Sequence, residues 1–225
     1  MKLILAGTSG FIGQEVLSQC LSNPSITSLV ALSRRPLTGP NASDPRLTNV
    51  ILQDFMKYTP EVLSQLKGAE GCVWALGAKS TDAEVTRRVS LDYVMVAAKA
   101  FSEVSKFEGK IFRFALTSGI LAVRDQKRNI WLYPEARKVG GEAESNLLDF
   151  AKENEKNFEA YIARPAGVRA KDGMNLDFIL GKNYNIKVDE LVASLIDVAT
   201  KGSERRTWEN KDLVLRGREI LAKEK

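Results

Sequence analysis

The chain contains no histidine, which limits the chemistry that its side chains can perform. A Ser-His-Asp hydrolase, a Cys-His protease and the common histidine-based zinc sites are all excluded. Acid–base chemistry must therefore use tyrosine, lysine, aspartate, glutamate or cysteine. Cys20 and Cys72 lie in apolar stretches and form no Cys-x-x-Cys pair, so we expect buried, reduced thiols and no metal site.

The most informative binding motif is the glycine-rich stretch AGTSGFIG, which lies between an apolar run and an amphipathic one. Gly7 permits a tight turn, Gly10 lets a pyrophosphate approach the backbone, and Gly13 allows close helix packing. Free N–H groups at the start of the following helix attract phosphate. The motif predicts a dinucleotide site, although three glycines also suit a turn without a ligand. The same predicted site includes Thr8, Ser9, Phe11 and Ile12.

The second predicted strand ends in LSRRP, where a dinucleotide-binding fold carries the residue that selects its cofactor. An NAD-binding protein usually has an acidic residue there, which binds the ribose 2′-hydroxyl. Here Ser33, Arg34 and Arg35 occupy the place, and guanidinium groups suit a 2′-phosphate. The pattern favours NADP over NAD, and the alternative is a solvated basic loop.

Two later strand ends carry residues suited to the adenosine half of the cofactor. In LQDF, Asp54 is placed to meet the exocyclic amine of adenine, with Phe55 beside it. In WALG, we expect Ala75, Leu76 and Gly77 to border the ribose and pyrophosphate, because small residues let a ligand come close to the backbone.

Strand-like and helix-like patterns alternate along the chain, which predicts a mainly parallel sheet covered on both faces. Several of the strands are nearly continuous apolar runs, as strands buried on both faces require. The predicted strands are 2–6, 27–33, 47–53, 71–77, 110–118, 160–167 and, near the end, 211–217. The predicted helices are 11–22, 60–67, 82–106, 134–153 and 188–200.

These elements predict an α/β fold with one Rossmann-type domain over residues 1–225. We expect a doubly wound parallel sheet and a small C-terminal substrate lobe. Segments 119–133 and 169–186 lack a clear period and follow late strands. Ligands bind outside the carboxyl ends of the strands in such sheets, so both segments are predicted to form the substrate wall.

Seven stretches occur in an order that resembles one family. They are LAGTSGFIG, ALSRRP, LQDF, WALG, LTSG, GGEAE and YIARPAGV. Over about its whole length the chain resembles the atypical short-chain dehydrogenase/reductases. Within them it is similar to the NmrA-like and Tat-interacting-oxidoreductase-like branch, in its fungal form. The resemblance implies an NAD(P)-binding oxidoreductase and places Pro165, Ala166 and Val168 near the nicotinamide end.

In that family a serine and a Tyr-x-x-x-Lys pair carry out the proton transfers. The resemblance puts Ser118 at or beside the serine position. Alignment on GGEAE puts Ala136 where the tyrosine belongs and Gly140 where the lysine belongs. Neither residue can exchange a proton, so the chain departs from the family pattern at its chemical centre.

Tyr133 and Lys138, or Arg137, remain as a displaced catalytic pair. Pro134 suits the first helical turn, which makes Tyr133 a cap residue rather than part of the helix face. Three functions therefore stay open. They are an NADP-dependent reductase of a carbonyl or activated double bond in a small hydrophobic substrate, a non-redox isomerase or cyclase, and an NADP-sensing regulatory protein.

Segment 119–133, after the predicted strand 110–118, also supplies candidate substrate contacts, namely Gly119, Trp131 and Tyr133. The two aromatic residues are equally compatible with simple packing. Four acidic residues are predicted instead to be solvated positions on helices: Glu142, Glu144, Asp189 and Glu190.

The 225 residues carry a net charge of +5, and 44% of them are hydrophobic. The basic residues are spread without a run of five or more, so we expect no nucleic-acid partner and attribute the charge to an anionic cofactor. No run of about 18 apolar residues occurs, and MKLILAG is too short for a signal peptide. We expect a cytoplasmic monomer or homodimer that acts on a small molecule and has no membrane partner.

Overall fold

The computed structural model of the chain describes residues 1–78, 80, 82–106, 109–173 and 184–223. Its main strands are β1 (Lys2–Ala6), β2 (Ser28–Ser33), β3 (Leu47–Ile51), β4 (Ala69–Trp74), β5 (Phe112–Thr117) and β6 (Phe158–Arg164). Shorter strands are β7 (Gly167–Arg169), β8 (Asn185–Lys187) and β9 (Thr207–Glu209). One parallel sheet has the order β3-β2-β1-β4-β5-β6-β9, and β7 pairs with β8 in a separate parallel ribbon.

The helices cover both faces of the large sheet. They are α1 (Phe11–Ser22), α2 (Pro60–Leu66), α3 (Ala83–Arg87), α4 (Tyr93–Lys106), α5 (Pro134–Glu153), α6 (Val188–Lys201) and α7 (Asn210–Lys223). Alternation along β1 explains the two layers. Leu3 and Leu5 pack into the core beneath α1 and α6, whereas Ile4 and Ala6 pack into the core beneath α2, α4 and α5.

The predicted doubly wound parallel sheet is confirmed. The chain builds the sheet outward from β1 in one direction through β2 and β3, and in the other through β4, β5 and β6. The gap between the carboxyl ends of β1 and β4 is therefore a topological switch point, which is where ligands bind in such sheets.

The strand predicted at 211–217 is wrong, because those residues lie in α7. The buried residues Leu213 and Gly217 are four apart, which is helical spacing. A Cβ on Gly217 would lie 2.0 Å from the carbonyl oxygen of Glu190, so glycine lets α7 pack closely against α6. The edge of the sheet is instead β9, which pairs with the end of β6.

Other element boundaries also differ from the predictions. The continuous helix predicted at 82–106 is divided by a π-helical turn at Arg88–Asp92, between α3 and α4. The strand predicted at 160–167 ends at Arg164, because Pro165 has no N–H to donate to a neighbouring strand. Residues 174–183 of the predicted substrate wall lie outside the described part of the chain.

Both cysteines are free and fully buried, as expected. Burial raises the pKa of the Cys20 thiol to about 12 and raises the pKa of Cys72 well above its usual value. Over the residues that the structure describes, no helix is long and apolar enough to cross a membrane.

Candidate functional site

The glycine-rich turn lies between β1 and α1, at the switch point. Gly7 has φ +93°, and a Cβ there would lie 2.5 Å from the carbonyl oxygen of Ala75, just beyond β4. A Cβ on Gly13 would lie 2.0 Å from the carbonyl oxygen of Gly7. Gly10 caps α1 without a side-chain hydrogen bond, so the first N–H groups of this helix have no capping partner. These contacts make the turn compact. We call its residues, 7–13, the backbone cradle.

Thr8 lies inside this cradle and is buried. Its hydroxyl oxygen, Oγ1, has no hydrogen-bond partner among the described residues. A buried hydroxyl without a partner costs free energy, on the order of 1–3 kcal/mol. A ligand oxygen at the start of α1 would satisfy it, and the helix dipole there favours an anion.

The segment after β2 is held in place by Asn49 on β3. The Nδ2 of Asn49 donates to Ser33 Oγ at 2.7 Å, and its Oδ1 accepts from the Leu37 N–H at 2.8 Å. Ser33 Oγ in turn donates to the carbonyl oxygen of Arg35 at 2.6 Å. Asn49 was not among the predicted residues, and its one signal in the sequence is a polar side chain in the middle of a strand.

The backbone that Asn49 fixes carries Arg34 and Arg35, whose side chains are exposed. Within the described part of the chain, neither guanidinium group makes an ion pair or a hydrogen bond. No carboxylate of a described residue therefore competes for these two cations, and both are available to an anion.

The cradle and the arginine segment line one cleft of about 760 Å³. This volume is within the range of roughly 300–1,000 Å³ typical of small-molecule sites. The predicted cofactor residues that line the cleft are Gly7, Thr8, Ser9, Ser33, Arg34, Arg35, Phe55 and Leu76. Other predicted residues adjoin them in the chain without lining the cleft, namely Gly10, Phe11, Ile12, Gly13, Asp54, Ala75 and Gly77.

Asp54 and Phe55 differ in their surroundings. Asp54 Oδ1 accepts from the Met56 N–H at 3.0 Å and lies 3.5 Å from the Arg88 guanidinium. Phe55 is buried, and its ring meets that of Trp74 edge-on, with 6.0 Å between ring centroids. Phe55 therefore joins the cleft to the core, whereas Asp54 is already engaged by local partners.

The predicted nicotinamide-end residues follow β6. The Pro165 carbonyl oxygen accepts from the Ile120 N–H at 2.9 Å, and the Ala166 N–H donates to Asn210 Oδ1 at 2.8 Å. Val168 lies in β7, opposite Ile186 in β8. Residues 165–168 therefore connect the large sheet to the small β7–β8 ribbon and to segment 119–133.

A buried carboxylate, Glu144, organises the carboxyl ends of β5 and β6. It is 0% exposed and accepts from Ser118 Oγ at 2.6 Å, from Arg124 Nε at 2.7 Å and from Arg164 Nε at 3.0 Å. Arg124 also donates to Thr207 Oγ1 at 2.9 Å. The hydrogen bonds that Arg164 donates to Glu144 raise the pKa of the Arg164 guanidinium.

This cluster determines what the hydroxyl of Ser118 can do. Arg124 and Arg164 form ion pairs with the Glu144 carboxylate, and a carboxylate only accepts hydrogen bonds. Ser118 must therefore donate its proton to Glu144. In this arrangement Ser118 can accept a hydrogen bond from a ligand, but it cannot donate one to a carbonyl oxygen.

The prediction for the four acidic residues is wrong for Glu144 and Glu190. Glu190 is buried and pairs with Arg218 at 2.8 Å, since α7 packs over the start of α6. Glu142 is partly exposed, as expected, and forms a two-bonded ion pair with Arg87. The spacing of Glu144 from the buried residue Leu147 was the available signal for its burial.

The predicted displaced pair is not enclosed by the fold. Tyr133 is 67% exposed and precedes α5 as its cap, with φ 49°. Lys138 is partly exposed on α5, and its carbonyl oxygen accepts from Gln126. Trp131 is 99% exposed, so it lines no cavity, and Gly119 is partly exposed beside Ser118. None of these residues lines the 760 Å³ cleft.

Ala136 and Gly140 both lie on α5, four residues and about one turn apart. Ala136 is exposed and Gly140 is partly exposed. A Cβ on Gly140 would make an ordinary contact with Ala122 Cβ at 3.6 Å. Gly140 therefore has room for a side chain but carries none.

No protein-family model matches the chain. A stretch of 110 residues is 36% identical to leucinostatins biosynthesis cluster protein T of Purpureocillium lilacinum. The match covers 47% of this chain and 39% of that protein, so the chain spans less than half the length of this curated relative.

Solved structures share the fold over nearly the whole chain. MoeE5 in complex with UDP-glucose and NAD has a TM-score of 0.67 at 15% identity, over 99% of this chain and 82% of that one. Gre2 of Candida albicans with NADPH has a TM-score of 0.67 at 17% identity, over 93% and 78%. A short-chain dehydrogenase/reductase of Burkholderia thailandensis has a TM-score of 0.67 at 13% identity, over 89% and 85%. At these identities the likeness establishes the Rossmann-type fold.

We expect Glu144→Ala to destabilise the protein by about 3 kcal/mol. It removes the buried carboxylate that Arg124 and Arg164 share, and Arg164 keeps only its 3.4 Å ion pair with Glu209. The matched control is Glu142→Ala, two residues away on α5. Its partner Arg87 is exposed, so the cost should be about 0–1 kcal/mol. Urea unfolding measures both, and equal losses would show that the Glu144 cluster does not hold this end of the sheet together.

Proposed function

We propose that this chain binds NADP(H) in the 760 Å³ cleft and belongs to the NmrA-like branch of the atypical short-chain dehydrogenase/reductases. The observation that carries the proposal is the pair Arg34 and Arg35, which line the cleft with no anionic partner among the described residues. Two guanidinium groups suit a phosphate with two negative charges far better than a neutral 2′-hydroxyl. The shared fold with proteins solved with NAD and NADPH supports a nicotinamide nucleotide.

The residues present fit the parts of such a cofactor. The backbone of Gly7 and the buried Thr8 hydroxyl, with the start of α1, would hold the pyrophosphate. Arg34 and Arg35 would hold the 2′-phosphate, and Phe55 would border the adenosine. When bound, the reduced cofactor supplies a hydride to an electrophilic carbon of the substrate.

We infer that the reaction is reduction of a small hydrophobic substrate, with an activated double bond favoured over a simple carbonyl. Carbonyl reduction needs a proton donor at the substrate oxygen. Ser118 directs its proton to Glu144, and Tyr133 is largely exposed. A conjugated double bond spreads the developing negative charge over several atoms, so solvent can supply the proton. The similarity to a fungal biosynthesis-cluster protein supports a natural-product substrate.

A second candidate rests on Ala136 and Gly140. If no residue replaces the proton-transfer pair, the cofactor cleft serves a non-redox isomerase or cyclase, or a protein that senses NADP. Turnover of a substrate with unchanged NADPH absorbance would identify a non-redox isomerase or cyclase. Cofactor binding without turnover of any candidate substrate would identify a protein that senses NADP.

The double variant Arg34→Ala/Arg35→Ala should weaken NADPH binding by at least about tenfold, because it removes charge-assisted hydrogen bonds. NADH binding should change much less. Titration that follows cofactor fluorescence measures both. Lys152→Ala is the control, since it removes an exposed positive charge at the end of α5, a helix that does not line the cleft. An equal loss for NADPH and NADH would contradict the assignment of the arginines.

Tyr133→Phe should lower kcat by less than about threefold with a conjugated substrate, because solvent rather than the phenol supplies the proton. A general acid normally contributes about 100-fold or more. Stopped-flow loss of NADPH absorbance measures the rate, and Lys138→Ala tests the other half of the displaced pair. A fall in kcat of about 100-fold in either variant would establish the pair as catalytic.

A further inference from the structure

Segment 119–133 presents a group of apolar side chains to solvent. Trp131 is 99% exposed, Tyr133 is 67% exposed, and Leu121 and Leu132 are more than half exposed. We call these four residues the Trp131 patch. Exposed apolar side chains that are grouped in one segment, rather than scattered singly, indicate an interaction site.

The patch is presented by a hydrogen-bonded backbone. Arg137 Nε donates to the carbonyl oxygen of Leu121 at 2.9 Å, and its Nη1 donates to that of Leu132 at 3.4 Å. One guanidinium group therefore brings the two ends of the segment together. Tyr133 adopts the left-handed conformation, φ 49°, which is uncommon for residues other than glycine. Local structure thus holds these apolar side chains outward.

The middle of the segment is also anchored. Arg124 pairs with the buried Glu144, and the Val123 N–H donates to the carbonyl oxygen of Arg137 at 2.8 Å. Gln126 Nε2 bridges the carbonyl oxygens of Val123 and Lys138, at 3.2 and 3.1 Å. The patch therefore rests on a base that is fixed to α5.

Cations accompany the apolar side chains. Lys127 and Arg128 are exposed four and three residues before Trp131, and neither side chain forms an ion pair with a described residue. The acidic residues close in sequence are Asp125, which caps the Lys127 N–H, and Glu135. With Lys138 on α5, the cations outnumber the acids around the patch.

We propose that the Trp131 patch is an interfacial anchor that docks this protein on an anionic lipid bilayer. Tryptophan and tyrosine prefer the headgroup level of a membrane, where an apolar ring and a polar edge are both satisfied. Lys127 and Arg128 would lie against lipid phosphates and carboxylates. This is contact with a membrane surface, which needs no spanning helix, and it revises the expectation that the protein has no membrane partner.

The charges favour a bilayer over a second copy of the chain. In a two-fold dimer the patch would meet itself, so the excess of cations around it would be doubled at the interface and would cause repulsion. An anionic surface converts that repulsion into attraction. Exposed aromatic rings beside cations that pair with no described residue are therefore better matched by an anionic bilayer than by a second copy of the chain.

Co-sedimentation with vesicles tests the proposal. The full chain should bind vesicles of phosphatidylcholine mixed with phosphatidylserine, and bind pure phosphatidylcholine vesicles at least about tenfold more weakly. Added salt should weaken the binding, since it screens the charges. Tryptophan emission should shift to shorter wavelength on binding, because Trp131 leaves water whereas Trp74 is already buried.

Two variants separate the apolar and the charged contributions. Trp131→Ala/Leu132→Ser and Lys127→Glu/Arg128→Glu should each reduce vesicle binding about tenfold or more, with unchanged thermal unfolding because all four side chains are exposed. The matched controls Leu215→Ser, an exposed leucine on α7, and Lys152→Glu should bind as the wild type does.

Failure of the wild-type chain to bind anionic vesicles would overturn the proposal. So would binding that the controls reduce as much as the patch variants do. Concentration-dependent dimerisation that Trp131→Ala/Leu132→Ser abolishes, without vesicle binding, would instead identify the patch as an interface between copies of the chain. Analytical ultracentrifugation of the same samples distinguishes that outcome.

Discussion

The structure depends first on a backbone contact that only glycine permits. Gly13 lies so close to the end of β1 that a Cβ would be 2.0 Å from the carbonyl oxygen of Gly7. Gly7 in turn lies against the residues just after β4, since a Cβ on Gly7 would be 2.5 Å from the carbonyl oxygen of Ala75. Three backbone segments therefore meet where the strand order reverses. The start of α1, the buried Thr8 hydroxyl and the cleft all follow from this contact.

A second constraint is the buried carboxylate of Glu144, at the carboxyl ends of β5 and β6. Glu144 links the carboxyl ends of β5 and β6 to segment 119–133 through Ser118, Arg164 and Arg124. The same hydrogen bonds that order this region also direct the Ser118 proton away from a ligand. The molecule thus combines a well-formed cleft at the switch point with a serine hydroxyl whose proton is directed to Glu144. That combination is the physical basis for favouring a conjugated substrate in the proposed reduction.

The sequence predicted the parts of the fold that local patterns encode. Alternating apolar strands and amphipathic helices indicate a doubly wound sheet, and the positions of Gly7 and Gly13 mark its first turn. The helix at Asn210–Lys223 was predicted as a strand because Leu213, Val214 and Leu215 are consecutive, a run that suits either element. The burial of Leu213 and Gly217, four residues apart, and the packing of Gly217 against α6 distinguish the helix from a strand.

Side-chain environments at the site were harder to predict. The burial of Glu144 depends on Arg124 and Arg164, each 20 residues away in sequence, so no local window contains the cluster. The exposure of Trp131 depends on the way Arg137 holds the backbone of its segment. The same limit applies to Asn49, whose role becomes visible only when β2 and β3 are paired.

The central claim is that the cleft recognises a dinucleotide with a 2′-phosphate. Isothermal titration calorimetry with 2′,5′-ADP and with 5′-ADP tests it directly, since the two fragments differ in the 2′-phosphate and lack the nicotinamide. If the cleft binds the 2′-phosphate, 2′,5′-ADP should bind at least about tenfold more tightly than 5′-ADP, and Arg34→Ala/Arg35→Ala should remove the difference. Equal affinities for the two fragments, or no binding of either, would contradict it.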